Sequence, residues 1–305
     1  MRVAAVDLGT NTTRLLVAEV VDGRLEELTR RTTITRLGEG VDSGGALLDG
    51  AMQRVFAALA EYRQAIDELG AERTVAVATS AVRDARNGAD FQRELRERFG
   101  IDARIISGDE EARLTFAGAT TERPDGGDPV LVLDIGGGST EFVVGLAGED
   151  PSFHVSTQAG SVRQTERHIA DDPPPRDQVE AIAHDVRSII EAAIPASVRS
   201  GVRDGVAVAG TPTSLAAIEQ RLDPYDSTKV HGYRLELAAC ERILDMLASI
   251  PEPERREVVG LHPDRAPTIV AGAVILVESM RAFGLERIEV GEHDILYGMA
   301  FSGVP

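Results

Sequence analysis

The chain opens on Val3-Ala4-Ala5-Val6, a short continuous apolar run of the kind that forms a buried strand. Asp7-Leu8-Gly9-Thr10-Asn11 then makes a polar glycine turn into a second strand-like stretch, Arg14 to Val21. Downstream, the spacing of apolar positions predicts a helix over Ala51 to Leu69, a strand at Thr74 to Ala78, a helix opening near Ser80, a helix at Ala89 to Phe99 and a strand at Ala103 to Ile106. Strands alternating with helices predict an α/β domain.

The turn-rich Arg123-Pro124-Asp125-Gly126-Gly127-Asp128-Pro129 breaks every pattern, and an apolar strand, Val130 to Leu133, follows. A boundary is expected there, giving domains over 1–122 and 123–290. The new segment repeats the first: Val6-Asp7-Leu8-Gly9-Thr10-Asn11-Thr12-Thr13 aligns with Leu133-Asp134-Ile135-Gly136-Gly137-Gly138-Ser139-Thr140. A second aspartate-bearing glycine turn between strands predicts two similar α/β halves. Later, Val179, Ile182, Ala183, Val186, Ile189 and Ile190 make a helical stripe over Arg176 to Ile194, Val206 to Ala209 reads as a strand, and helical patterns recur at Leu235 to Leu247 and Ala266 to Ala282. A strand at Ile288 to Val290 and a short helix at Asp294 to Ala300 close the chain, and the tail at about 291–305 is expected to pack back on the first domain.

Composition narrows the function more than the fold. At 305 residues, 43% hydrophobic and 27% charged, the chain has material for a sizeable core. The longest apolar stretch, Ile269 to Val277, is about half of the roughly 20 residues a spanning helix needs, so no membrane partner is expected. The formal net charge of −18 argues against nucleic acid as a partner and requires any anionic substrate to meet a local set of donors. A lone Cys240 and an N-terminus without a signal-peptide core predict a cytoplasmic protein.

Three places put glycine and small hydroxyls at a strand end: Asp7 to Thr13, Asp134 to Thr140, and Gly210 to Ser214. Such turns either cradle an anion on backbone N–H groups or simply connect strands. Asp134 and Glu141 bracket the central turn, with Asp7 the matching acid in the first; these acids either hold a hard cation or bond their own turns. In Ser107-Gly108-Asp109-Glu110-Glu111, the acids open a helix, where they complement its dipole unless one serves as a base for an attacking water. Arg83, read as lying in the first turn of the helix from Ser80, is out of place for the dipole and is better explained as an anion ligand or ion-pair partner. Arg163 and Arg265 are weaker candidates for the same roles and read more readily as solvated surface cations, and His231 reads as a capping or core histidine rather than a metal ligand.

Together, Asp7-Leu8-Gly9-Thr10-Asn11-Thr12, Ala78 to Asn87, Ser107 to Ala112, Asp134 to Glu141 and Gly210 to Ser214 resemble, in order and spacing, the exopolyphosphatase and guanosine pentaphosphate phosphohydrolase (Ppx/GppA) family of the actin, heat-shock chaperone and sugar-kinase superfamily. The resemblance implies two ribonuclease-H-like (actin-like ATPase) domains facing an interdomain cleft, and a homodimer. It implies Glu111 as the base that activates water, Asp134 and Glu141 (with Asp7 the further acid) as residues for Mg²⁺ or another hard divalent cation, and Thr10, Asn11, Arg83, Gly137, Gly138 and Ser139 as phosphate ligands. His231 and Arg265 fall in later family motifs and receive no catalytic role. Because the chain stops at Pro305, it resembles the short members of the family. The expected function is hydrolysis of terminal phosphate from inorganic polyphosphate, favouring short chains. The alternatives are a phosphohydrolase of guanosine pentaphosphate or another phosphorylated nucleotide, a phosphotransferase of the superfamily, and a non-catalytic nucleotide or alarmone sensor.

Overall fold

Strand β1 (Arg2–Leu8) is buried along almost its whole length, which a strand achieves only when both faces of its sheet are covered. Alternate residues go to opposite faces. Ala4, Val6 and Leu8 pack with Val55, Phe56, Leu59, Tyr62 and Ile66 of the helix Asp49–Glu68 and with Phe91 and Leu95 of the helix Gly88–Phe99. Ala5 packs on the other face with Ile295, Leu296 and Met299 of the helix Ile295–Ser302. The C-terminal helix thus closes the second side of the first sheet.

These relations come from a computed structural model that describes residues 1–21, 24–124 and 126–302. The chain forms two units: Met1–Gly118 together with the segment from Ile295, and Ala119–Asp294. Asp125 of the turn-rich boundary and residues 303–305 of the expected C-terminal tail lie outside the described residues.

In the first unit β1 pairs antiparallel with β2 (Thr12–Val21), which pairs with β3 (Arg24–Ile34), while β4 (Arg73–Ala78) and β5 (Ala103–Ile105) extend the other side in parallel. The order is β3-β2-β1-β4-β5. In the second unit β6 (Gly126–Ile135), β7 (Thr140–Ala147) and β8 (Phe153–Thr157) form the antiparallel meander, and β9 (Asp204–Val208) lies parallel to β6. With β10 (Tyr233–Glu236) and β11 (Arg287–Val290), the order reads β8-β7-β6-β9-β11-β10. The second sheet therefore repeats the first and adds one antiparallel edge strand, β10. The expected α/β fold, two ribonuclease-H-like units, is the one observed.

The apolar stretch that is too short to span a membrane lies in the helix Ile269–Phe283, which is buried nearly all round among the helices Arg176–Ala193 and Leu237–Ser249. Its one buried acid, Glu278, accepts hydrogen bonds from Arg187 at 3.0 Å and Arg281 at 2.7 Å, so the carboxylate enters the interior with its countercharge. Among the described residues no helix is long and apolar enough to cross a membrane.

Three strands escaped the pattern reading. β3 carries Arg24, Glu26, Glu27, Arg30 and Arg31 because it is a largely solvated edge, and charged edge strands are how sheets avoid pairing with other chains. β8 and β10 are short edge strands with mixed polarity, and Leu235, read as the start of a helix, instead points from β10 into the core ahead of the helix Leu237–Ser249.

The helix Ile295–Ser302 docks through Gly298, where an added Cβ would stand 1.9 Å from the carbonyl oxygen of Leu114. Gly298→Val is expected to push this helix off the first sheet and lower stability by about 1–3 kcal/mol, an overpacking cost. A thermal-unfolding midpoint equal to that of the unsubstituted chain would refute that docking.

Candidate phosphate-binding and catalytic site

The two repeated motifs fold into hairpins with one hydrogen-bond plan. In the first, Gly9 N–H donates to Thr12 O at 2.9 Å and Asp7 lies in register with Arg14. In the second, Gly136 N–H donates to Ser139 O at 3.0 Å and Asp134 lies in register with Glu141. Each turn is therefore closed by the glycine two residues after the aspartate.

The backbone of the second turn is held from one side. Ser161 N–H donates to Gly136 O (2.9 Å), and Val162 and Arg163 N–H donate to Gly137 O (2.9 and 3.2 Å). The Arg163 side chain donates from Nε to Gly138 O at 2.8 Å. Three of these donors are amides of the first turn of the helix Ser161–His168, which have no partner within their own helix. The carbonyls of residues 136–139 are thus all bonded to protein. The N–H groups of Gly137, Gly138 and Ser139 have no protein acceptor among the described residues, although all three residues are buried. Buried amides are nearly always paired, so this arrangement suits an anion. Gly160 permits the close approach, since a Cβ there would lie 2.2 Å from Gly137 O.

The first turn is held by a loop instead of a helix. Gly38 N–H donates to Thr10 O at 2.8 Å, and Thr35 and Arg36 N–H both donate to Asn11 O, at 3.0 and 2.9 Å. Arg36 takes a left-handed φ of 48° there, a conformation non-glycine residues rarely adopt. The hydroxyls of Thr10 and Ser80 share a 2.7 Å hydrogen bond. Ser80 begins the one-turn helix Ser80–Asp84, which also carries Arg83. Arg83 Nη1 donates to Ile106 O at 2.9 Å and to Glu111 Oε2 at 3.1 Å, and its Nη2 has no protein acceptor among the described residues. Within the first unit, this short helix links Thr10 at one end to Glu111 at the other. Glu111 is 7% exposed, so its carboxylate is a buried group with a cation beside it.

The acids of the two hairpins differ in what faces them. Asp7 Oδ2 accepts from Arg14 Nε and Nη2 at 2.9 and 2.6 Å, so the guanidinium supplies its countercharge. Asp134 and Glu141, 7% and 1% exposed, are directly opposite on adjacent strands, which puts both carboxylates on one face of the sheet. Ser156 Oγ donates to Glu141 Oε1 at 2.7 Å. Two buried carboxylates facing each other repel, and hard oxygen donors in that arrangement fit a divalent cation such as Mg²⁺.

Three sequence readings are corrected. Arg163 is not a solvated surface cation but the side chain that holds Gly138 O. The helix bearing Arg83 has a single turn, so Arg83 lies in its last turn as well, and its ion pair with Glu111, not the dipole argument, marks it out. At the third glycine motif the hydroxyls do not face outward as ligand donors: Thr213 Oγ1 donates to Ala209 O at 3.0 Å and Ser214 Oγ to Gly210 O at 2.7 Å. Arg265, half-buried, lays its guanidinium against Gly210. Cys240 takes no part in any of this: burial pushes its thiol up to about 12. The sequence reading also missed Ser80, Arg14 and Ser156. Arg14 was accessible from the register alone, because a four-residue turn after Leu8 sets it opposite Asp7.

A profile of the Ppx/GppA phosphatase family matches residues 16–304. Exopolyphosphatase 2 of Mycobacterium tuberculosis is 37% identical over a 314-residue alignment that covers 99% of this chain and 98% of that protein. Among solved structures, the Ppx/GppA family member of Aquifex aeolicus is 32% identical with a TM-score of 0.83, covering 100% of this chain and 97% of that one. An exopolyphosphatase of Cytophaga hutchinsonii is 26% identical with a TM-score of 0.91, covering 99% and 97%.

The bond from Arg163 to Gly138 O is worth on the order of 1–2 kcal/mol to the turn. Arg163→Ala is expected to weaken inorganic phosphate binding by about ten-fold while leaving the folded circular dichroism spectrum unchanged. Equal phosphate affinity in isothermal titration would show that the turn keeps its shape without this residue.

Proposed function

Since the chain belongs to the Ppx/GppA phosphatase family, and is therefore a hydrolase acting on phosphoric anhydrides, we propose that its substrate is inorganic polyphosphate and that it releases the terminal phosphate, with short chains preferred. The observation that carries this reading is the Gly136–Ser139 turn, with its carbonyls held by protein and the buried N–H groups of Gly137, Gly138 and Ser139 without a protein acceptor among the described residues. Two relatives with the name exopolyphosphatase, each matching 99% of the chain, support the substrate. With a formal net charge of −18, phosphates beyond the reach of these local donors meet a repelling field, which favours the shorter polyanion.

In this reading the amides of Gly137, Gly138 and Ser139 and the donors of Thr10, Asn11 and Arg83 bind and orient phosphate oxygens. Their dipoles stabilise the charge that develops as the phosphoryl group is transferred. Glu111 accepts the proton of the attacking water. Arg83 fixes the position of that carboxylate and keeps its Nη2 donors for substrate. Asp134 and Glu141 would hold Mg²⁺, which when bound supplies positive charge to phosphate oxygens. Asp7, already bonded to Arg14, serves the hairpin instead.

Glu111→Gln keeps the shape of the side chain and removes its basicity. It is expected to lower kcat by roughly 10²–10⁴-fold with KM little changed, as for the loss of a general base. Unchanged kcat would take Glu111 out of the base role. Glu141→Gln is expected to raise the Mg²⁺ concentration needed for half-maximal phosphate release by at least ten-fold, and an unshifted requirement would place the cation elsewhere. Phosphate release measured in parallel from short polyphosphate, long polyphosphate, guanosine pentaphosphate and ATP tests the substrate. Fastest release from short polyphosphate is expected, whereas a preference for guanosine pentaphosphate would overturn the proposal.

A further inference from the structure

His231 is alone in its stretch of sequence but not in the fold. Its ring stands against that of His293, with centroids 4.2 Å apart and planes tilted by 31°. Its Nε2 lies 3.1 Å from Glu122 Oε2, and His293 Nδ1 lies 3.8 Å from the other oxygen of the same carboxylate. One ligand atom from each residue falls within 4.8 Å of the other two. All three belong to the second unit, which runs from Ala119 to Asp294. None belongs to the glycine hairpins.

We infer that Glu122, His231 and His293 form a binding site for a divalent transition-metal ion of the zinc class. Two imidazoles and one carboxylate suit such an ion and not Mg²⁺, which takes oxygen ligands and keeps much of its water. Ligand atoms bound at roughly 2.1 Å in a tetrahedron stand roughly 3.4 Å apart. His231 Nε2 and His293 Nδ1 stand 3.1 and 3.8 Å from the two oxygens of the Glu122 carboxylate, so all three groups lie within reach of one ion at about that spacing. Glu122 is exposed and is held below the usual carboxylate range by its hydrogen bond from His231 and the charge of His293, so it is an ionised ligand open to solvent. Three protein ligands leave the remaining position to water.

The metal-free geometry also sets the strength of the site. Glu292 N–H donates to His231 Nδ1 at 3.1 Å, which leaves the imidazole proton on Nε2, where it bonds Glu122. Metal binding at Nε2 requires that proton to leave, and a ring that carries its proton on Nδ1 instead no longer accepts from the Glu292 N–H. The site is therefore of the exchangeable kind, weaker than a structural zinc site, and its occupancy is reported at the Glu292 amide.

The position gives the site its consequence. Glu122 is the fourth residue of the second unit, which begins at Ala119, and His293 comes two residues before the chain leaves it at Ile295. His231 directly precedes Gly232 and β10. A bound ion would fasten the entering and leaving segments of this unit to each other, which adds stability in proportion to its occupancy.

The full chain, stripped with chelator, is titrated with Zn²⁺ in the presence of excess Mg²⁺. One Zn²⁺ per chain is expected, with a rise in the unfolding midpoint and a shift of the Glu292 amide resonance. Glu122→Gln and His293→Ala are each expected to weaken binding by at least ten-fold, while Glu141→Gln leaves it unchanged. Glu122 is exposed, so its variant tests the site even if His293→Ala fails to fold. Absence of stoichiometric binding overturns the inference, as does binding that survives Glu122→Gln or is lost in Glu141→Gln.

Discussion

A turn that is to present its N–H groups to an anion must have its carbonyls satisfied elsewhere, and this constraint organises both halves of the molecule. In the second unit the acceptors of residues 136–139 are matched by donors that also need partners, the first-turn amides of the helix Ser161–His168. Turn and helix satisfy each other. The arrangement requires β8 to deliver the chain to Ala159 and Gly160 just where the helix must begin, and it requires a glycine at 160 so that the two backbones can touch. The meander β6-β7-β8 is therefore part of the site as well as of the sheet. In the first unit the loop after β3 does the same work with Thr35, Arg36 and Gly38, and Arg36 accepts a strained backbone to do so.

Given equivalent hairpins, one side chain decides how the two units differ. The position facing the aspartate is Arg14 in the first and Glu141 in the second. An arginine there gives Asp7 its countercharge within the protein. A glutamate there sets two buried carboxyl groups side by side, and their oxygens suit a hard cation. Duplicated architecture with one exchanged charge thus leaves an ion pair at this position in one unit and a pair of carboxyl groups in the other.

Much of this was legible in the sequence because it depends on local chemistry. The glycine turns, the α/β alternation and the internal repeat follow from short runs of residues, and the hairpins fold as their motifs suggest. The charged edge β3 was not legible, since an edge strand needs no apolar face of its own. Nor were the roles of Arg163 and His231, which are set by residues 25 and 109 positions away, Gly138 and Glu122. Hydroxyl-rich Gly210–Ser214 shows the converse failure: its composition resembles the other turns, but as a helix start it directs Thr213 and Ser214 to carbonyls of the preceding turn.

The acidity of the chain is consistent with an anion site built, as proposed, on backbone amides rather than on a cluster of basic side chains. A patch of arginines would have to overcome a formal net charge of −18 through long-range attraction, which salt screens and which any polyanion could exploit. Amides act only within hydrogen-bonding distance and carry no net charge, so they select a phosphate by geometry. Arg83 is a cation among the proposed donors, and its tie to Glu111 binds that charge to the carboxylate with which it would act. Short-ranged donors of this kind would let a strongly acidic protein hold a more strongly acidic ligand.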